Sequence, residues 1–141
     1  MKYFKIHIVI VILLLGFKFS TAQSPKVDEA RTNFIAQKLQ LSPAEAKKFW
    51  PVYNEFIDKM RAIRKERKKL FSEYEYSSNP AEAEQFVNKH LQLDNAECQI
   101  KTDYTNKFRQ IIGPVKTAQL LKAEEEFRKE LIKILKTDKP D

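Results

Sequence analysis

Residues able to carry enzymatic chemistry are scarce in this chain. Its 141 residues include two histidines, one cysteine and two glycines, and beyond residue 22 only His90, Cys98 and Gly113 are of these types. A glycine-rich phosphate loop needs several glycines for close approach of the backbone to phosphate. A Cys/His metal site needs more ligands than one histidine and one cysteine supply. The composition therefore predicts a protein that is not an enzyme and takes no metal, cofactor or small-molecule substrate.

His90 and Cys98 have structural interpretations that compete with functional ones. His90 falls on an apolar helical seam, which favours a packed or partly buried histidine over a metal ligand. Cys98 has no second cysteine in the chain, so no intramolecular disulfide can form. A free or buried thiol and an intermolecular disulfide through Cys98 both remain open.

Basic residues offer the clearest candidate for binding. The segment 58–69 holds seven Lys or Arg against two acids. A basic helix face beside apolar residues would attract acidic, partly unfolded polypeptides, whereas the competing interpretation is an ordinary solvated face. The candidate client- or partner-binding residues are Lys59, Arg61, Arg64, Lys65, Lys68 and Lys69.

The first 22 residues resemble an export signal rather than part of the fold. Lys2 and Lys5 precede the apolar run 8–15, and the small residues 20–22 form a cleavage site after Ala22. A retained anchor is the alternative, but the run is much shorter than the roughly 20 residues that span a bilayer. Residues 23–136 would then form one periplasmic domain, followed by a polar tail at 137–141. Nucleic acid is not an expected partner of an exported chain.

Removal of residues 1–22 also changes the charge of the chain. It takes away three lysines and no acid, so the formal charge falls from +7 to +4. Much of the basic character thus belongs to the export signal, and most of the remainder lies in the segment 58–69.

One long helix dominates the remaining chain. Ser42 can cap its start, Pro43 suits its first position, and Glu45 completes a capping box. Apolar residues then recur every three or four positions, interrupted by Arg67, which places them on one helix face. The seam comprises Phe49, Tyr53, Phe56, Met60, Ile63, Leu70 and Tyr74. Pro51 lies inside this helix, where it would either kink or break it; the unbroken phase of the seam favours a kink.

Turn signals divide the chain into four predicted helices. A short amphipathic helix covers 25–40, with Val27, Ala30 and Phe34 on its seam. The turn 77–80 ends the long helix, and a helix of similar length runs to Ile112, where Gly113-Pro114 stops it. A last helix covers 115–136. The two long helices should form an antiparallel hairpin, and no strand-like alternation occurs, so the fold class is all-α.

A long, thin helical hairpin cannot shield all of the aromatic residues of the chain from solvent. A chain of this length buries less surface when it is spread over long helices than when it forms a compact bundle. We therefore expect a homodimer that hides one apolar face of the hairpin and leaves another surface for binding.

The start of the long helix resembles a known motif. The sequence Leu41-Ser42-Pro43-Ala44-Glu45 is similar to the LTxxQ motif of the Spy/CpxP family of small periplasmic helical proteins, with Ser in place of Thr and Glu in place of Gln. A second copy would fall at 115–119, where Gln119 matches. The sequences FWPVYNEF and KAEEEFRKEL resemble the Bacteroidetes branch of the family, some members of which are described as sensors of extracytoplasmic-function sigma factors.

This resemblance implies a function as well as a fold. It implies a cradle-like dimer that binds unfolded or aggregation-prone proteins without ATP, as a chaperone or envelope-stress adaptor. The alternative is a regulatory protein that binds one membrane sensor or anti-sigma partner and has no general chaperone activity. The motif residues Leu41, Ser42, Pro43, Glu45 and Gln119 would then serve mainly at helix starts.

Overall fold

The computed structural model describes residues 25–137 and contains three α-helices there, with no strand among them. Helix α1 is Pro25–Leu39, α2 is Pro43–Glu73 and α3 is Pro80–Thr137. The predicted export signal and most of the polar tail lie outside the described residues, and Thr137 belongs to α3 rather than to the tail. The all-α prediction is confirmed.

The start of α2 matches its sequence signal. Glu45 donates its backbone N–H to the Ser42 hydroxyl (3.3 Å), and Ser42 donates its own N–H to the Glu45 carboxylate (2.8 Å). This reciprocal pair satisfies two backbone donors that the first turn of a helix leaves without partners. Pro51 lies within α2, which runs unbroken through it, so the helix does not break there, and the break given as the alternative to a kink is excluded.

Helices α2 and α3 form the predicted antiparallel hairpin. Near the start of α2, Phe49 contacts Phe108 (5.5 Å between ring centroids), and near its end Phe71 contacts Phe86 (5.2 Å). Higher numbers on α2 thus meet lower numbers on α3. Asn79 starts α3, because its side chain accepts the backbone N–H of Ala81 at 3.0 Å.

Helix α3 changes direction at Gly113, as the sequence predicts. Gly113 has φ 76° and ψ 168°, which is non-helical and favours a residue without Cβ. Helical structure resumes at once, so α3 consists of two segments, 80–112 and 114–137. In the second segment Leu120, Ala123 and Phe127 are buried.

The core differs from the predicted seams at several positions. In α1 the buried residues of the core are Ile35 and Leu39, whereas the predicted Phe34 is only half-buried. In α2 the core also takes Ile57, which the seam omits. Ile134, an apolar residue of the last predicted helix, is 53% exposed. Ile35 and Ile57 each follow a half-buried predicted seam residue, Phe34 and Phe56, by one position, so the buried face at those points is turned by about 100°.

Phe108 is surrounded by four other aromatic rings of the core and offers a stability test. It is 2% exposed, and its ring lies within 6.3 Å of Phe49, Tyr53, Phe56 and Tyr104. We expect Phe108→Ala to lower the free energy of unfolding by about 3–5 kcal/mol, since it removes apolar burial and leaves a cavity. Urea unfolding followed by circular dichroism measures this loss.

Phe71→Ala is the matched control, because Phe71 is 52% exposed. Its loss should be about 1 kcal/mol or less. Equal losses at the two positions would contradict the assignment of the core.

Candidate functional site

The hairpin has two sides that differ in what covers them. On one side, named the first side, Ile57, Phe108 and Ile112 are buried in a cluster with Ile35 and Leu39 of α1. On the opposite, second side, Val52, Phe56 and Ile111 are only half-buried. Residues 34–39 of α1 and the segment 114–137 therefore cover the first side near the start of α2, and the rest of the hairpin is less protected.

Exposed apolar residues gather on the first side, toward the turn of the hairpin. Phe71 of α2 and Val87 and Leu91 of α3 are 52%, 51% and 51% exposed. Phe71 contacts His90 (5.5 Å), which lies between Val87 and Leu91 on the same face of α3. Lys68 and Arg64 occupy the positions one and two turns before Phe71 on α2, respectively. These five residues, Arg64, Lys68, Phe71, Val87 and Leu91, are named the tip patch.

The six predicted basic residues do not share one surface. At about 100° per residue, Arg61, Arg64, Lys65 and Lys68 point toward the first side of the hairpin or outward from it. Lys59 lies on the second side, where it lines a groove with Ile100 and Lys107. Lys69 points away from α3. The structure thus brings part of the predicted basic face into the tip patch and separates the rest.

Ion pairs further divide the basic residues. Arg61 is paired with Asp58 at 2.9 Å, and Lys59 and Lys69 each approach a glutamate of α2 at 3.8 Å. Lys65 and Lys68 are exposed and have no ion pair with the residues that the structure describes. Their charge is therefore available to a binding partner.

Arg67, which interrupts the apolar seam in the sequence, links the two helices beneath the patch. Its guanidinium donates to Asp94 at 2.9 Å and lies 2.7 Å from Glu97, both on α3. The Lys101 ammonium, with the Arg67 guanidinium, lowers the pKa of Glu97, and Glu97 in turn raises the pKa of Arg67. Arg67, which interrupts the apolar seam, therefore forms a cross-helix ion pair that links α2 to α3 near the end of the hairpin.

His90 and Cys98 lie beside the patch. His90 contacts the Phe71 ring and lies 3.5 Å from the Asp94 carboxylate, as a partly buried histidine. Cys98 is an exposed free thiol one turn beyond Asp94. The intermolecular disulfide stays a prediction.

The two motif copies meet at a junction that sequence reasoning missed. The Lys116 ammonium lies 2.7 Å from the Glu45 carboxylate and donates to the carbonyl of Gln40 at 3.3 Å. Glu45 also accepts from the Ser42 N–H. These contacts, with the Lys116 side chain first, lower the pKa of Glu45 to about 2. We name Gln40, Ser42, Glu45 and Lys116 the motif junction.

The remaining motif residues surround this junction. Thr117 is buried and donates its hydroxyl to the carbonyl of Gly113 at 2.7 Å, directly at the bend. Gln119 is exposed and lines a groove of about 470 Å³ beside Gly113 and Val115. The motif residues thus lie where α1, α2 and the second segment of α3 meet, away from the tip patch.

Residues 25–137 also bear on two further classes of feature, a membrane span and a metal site. No helix there has the length and apolar character that crossing a membrane requires. No cluster of three or more His, Cys, Asp or Glu side chains suited to a metal ion occurs in that range.

Comparisons with known proteins identify no relative of this chain. A scan against models of protein families, a search of curated proteins and a search of solved structures each gave no match to this chain. The Spy/CpxP resemblance therefore stays a prediction from the residues quoted for it.

The motif junction predicts a specific acid dependence of stability. Glu45 has its pKa lowered from 4.5 to about 2. Its stabilising effect should be fully present above about pH 4.5 and be lost as the pH falls toward 2, because protonation removes the carboxylate that Lys116 and Ser42 bind. Urea midpoints of the wild type and Glu45→Gln should therefore differ at neutral pH and converge over this interval.

Lys116→Gln separates the contribution of the ion pair. In that background Glu45→Gln should change stability less, and over a narrower pH interval, because the main cause of the lowered pKa is gone. The same convergence with and without Lys116 would show that the pair does not stabilise the junction.

Proposed function

We propose that this protein is an ATP-independent periplasmic chaperone or envelope-stress adaptor that binds partly unfolded polypeptides through the tip patch. The observation that carries the proposal is the exposure of Phe71, Val87 and Leu91 beside Arg64 and Lys68. Exposed apolar side chains on the same side of the hairpin as basic ones match the chemistry of an unfolded segment that is apolar in part and acidic in part.

The size of the patch favours weak, reversible binding. Full burial of one large apolar side chain contributes about 1.5–3 kcal/mol, so burying the exposed halves of Phe71, Val87 and Leu91 would contribute ~3 kcal/mol in total. Association costs at least about 4 kcal/mol of lost freedom. Electrostatic attraction by Lys68 and its neighbours must supply the difference, and release then needs no ATP.

A dedicated regulatory partner is the second candidate, and the compactness of the patch favours it. Val87 and Leu91 lie about one turn apart on α3, and Phe71 lies near the facing end of α2, which suits one short segment of a single protein, such as a membrane sensor or an anti-sigma factor. That role requires one specific partner and no effect on unrelated clients.

Light scattering of an unfolded client during refolding, without ATP, distinguishes the two candidates. The chaperone predicts suppressed aggregation at near-stoichiometric ratios of residues 23–141 to client. Unchanged aggregation at several-fold excess would contradict it and favour the dedicated partner.

Charge reversal at the patch is the sharper test of the surface. We expect Arg64→Glu with Lys68→Glu to abolish most of the suppression and its dependence on salt, because the patch would repel acidic clients. Helicity by circular dichroism should not change, since both side chains lie on the helix surface.

Lys47→Glu with Lys48→Glu gives the same change of charge at the other end of α2. Both residues are exposed, so this control should keep full activity. Equal loss in the two double variants would mean that net charge, rather than the patch, governs the effect.

A further inference from the structure

The tip patch lies between a basic segment and an acidic one. The segment 58–69 holds seven Lys or Arg against two acids, whereas 73–84, which contains the turn of the hairpin, holds four acids and no base. These four acids are all exposed, and we name them the acidic turn: Glu73, Glu75, Glu82 and Glu84. The apolar residues of the tip patch therefore separate charges of opposite sign.

Acids from both helices meet at the turn of the hairpin. Tyr74, directly after α2, stacks on Phe86 of α3 with 4.2 Å between the ring centroids. The acids that precede the turn and those that follow it therefore lie at the same end of the hairpin. Glu84 precedes Val87 by three residues on α3, so it lies about one turn beyond the patch, on the side toward the turn.

Most of the negative charge of the acidic turn is available to a partner. Glu75 and Glu84 form no ion pair with the residues that the structure describes. Glu73 approaches Lys69 only at 3.8 Å, and both side chains are largely exposed. Such exposed pairs contribute little and exchange partners readily. We call this end of the tip patch the negative end.

The opposite end of the patch keeps a net positive charge. Two acids of α3 reach that end, Asp94 and Glu97, and Arg67 already pairs with both, at 2.9 and 2.7 Å. Lys65 and Lys68 form no ion pair within the described part of the chain. The nearby acids are thus occupied while two lysines are not. We call this end of the tip patch the positive end.

Tyr76 adds an aromatic ring to the negative end. It is 100% exposed, and its ring centroid lies 6.1 Å from that of Tyr74. A Lys or Arg side chain is attracted by carboxylates and also by the face of an aromatic ring. The negative end therefore offers both kinds of group to a cation of a partner.

We propose that the tip patch binds polypeptide segments that carry an acid at one end of an apolar stretch and a Lys or Arg at the other. The acid would lie against Lys68 at the positive end, the apolar stretch against the apolar residues of the patch, and the base against the acidic turn. This inference rests on the proposed function, because it takes the tip patch as the binding surface, and it narrows the class of segment bound. A segment that is acidic throughout would be repelled by the negative end.

The dimensions of the patch determine the spacing of the two charges in such a segment. From Arg64 to Glu73, the last residue of α2, the distance along the helix axis is ~14 Å at about 1.5 Å per residue. An extended chain covers this distance in about four residues. The acid and the base of an extended segment should therefore lie about four positions apart, with three apolar residues between them.

Three short peptides with blocked ends and the same three apolar residues at the centre test this charge order. One carries Asp and Lys at its ends, the second carries two Asp and the third carries two Lys. Each is titrated into the isotope-labelled protein, and the amide shifts of Phe71, Val87 and Leu91 report binding at the patch. The peptide with opposite ends should bind about two- to five-fold tighter than either of the others, which is the effect of one exposed ion pair.

The three affinities separate failure of this inference from failure of the proposed function. Tightest binding of the peptide with two Asp would overturn the inference and leave the proposed function standing, since the basic residues alone would then govern binding. Equal affinities, or tightest binding of the peptide with two Lys, would also overturn the inference. No shift at Phe71, Val87 and Leu91 with any peptide would contradict the proposed function, and the inference with it.

Charge reversal at the negative end is an independent test. Glu75→Lys with Glu84→Lys should make the peptide with two Asp the tightest binder, because both of its ends would then face bases. Glu75 lies beyond the end of α2 and Glu84 lies beyond the first turn of α3, so neither change removes a helix cap. Circular dichroism verifies that the variant folds. An unchanged order of the three affinities would overturn the inference.

Asp103→Lys with Glu130→Lys is the matched control, because it changes the net charge by the same amount. Both residues are exposed on α3, far along the chain from the turn. This variant should keep the order of affinities that the wild type shows. The same inversion in both double variants would mean that net charge governs the preference, which would overturn the inference.

A last variant leaves the charge of the protein unchanged. Tyr76→Ala should weaken binding of the peptide with opposite ends and leave the affinity of the peptide with two Asp unchanged, because only the former places a Lys beside the ring. The fold should not change, since Tyr76 is fully exposed. An equal loss for both peptides would contradict the position assigned to the base of the bound segment.

Discussion

Burial of aromatic rings between the two long helices is the interaction on which the rest of the structure depends. Phe49 and Tyr53 of α2 and Tyr104 and Phe108 of α3 are each at most 3% exposed and lie in contact with one another. Large rings contribute the most apolar area per residue, which a hairpin needs because it has only one narrow seam to bury. This cluster of rings sets the register of the hairpin, and the register in turn determines which residues lie on its exposed surfaces.

The bend at Gly113 brings the segment 114–137 onto that cluster of rings as a third layer. With φ at 76°, Gly113 adopts a backbone conformation that other residues adopt only with strain, and Pro114 disfavours a straight continuation. The Glu45–Lys116 pair joins the start of α2 to the segment after the bend. The two segments that resemble the motif, 41–45 and 115–119, are far apart in the chain, and the Glu45–Lys116 pair brings them together at this bend.

Because the third layer covers only part of one side, the hairpin keeps two different exposed surfaces. The tip patch combines half-exposed apolar side chains with Lys68, which no described ion pair neutralises. On the second side, Val52, Phe56 and Ile111 are half-buried rather than covered.

The sequence by itself determined the helices and their ends. The capping box at Ser42 and Glu45, the turn before Pro80 and the bend at Gly113 depend on residues close together in the chain, so local chemistry was sufficient to predict them. Periodicity also indicated the hairpin and most of its aromatic core. Only the tertiary structure decided that Ile35 and Ile57 enter the core, that Arg67 pairs across the hairpin, and that Lys59 lies apart from Lys68. Those outcomes depend on which helix packs beside which face, and a linear pattern does not contain that information because neighbouring positions on a helix differ by only about 100°.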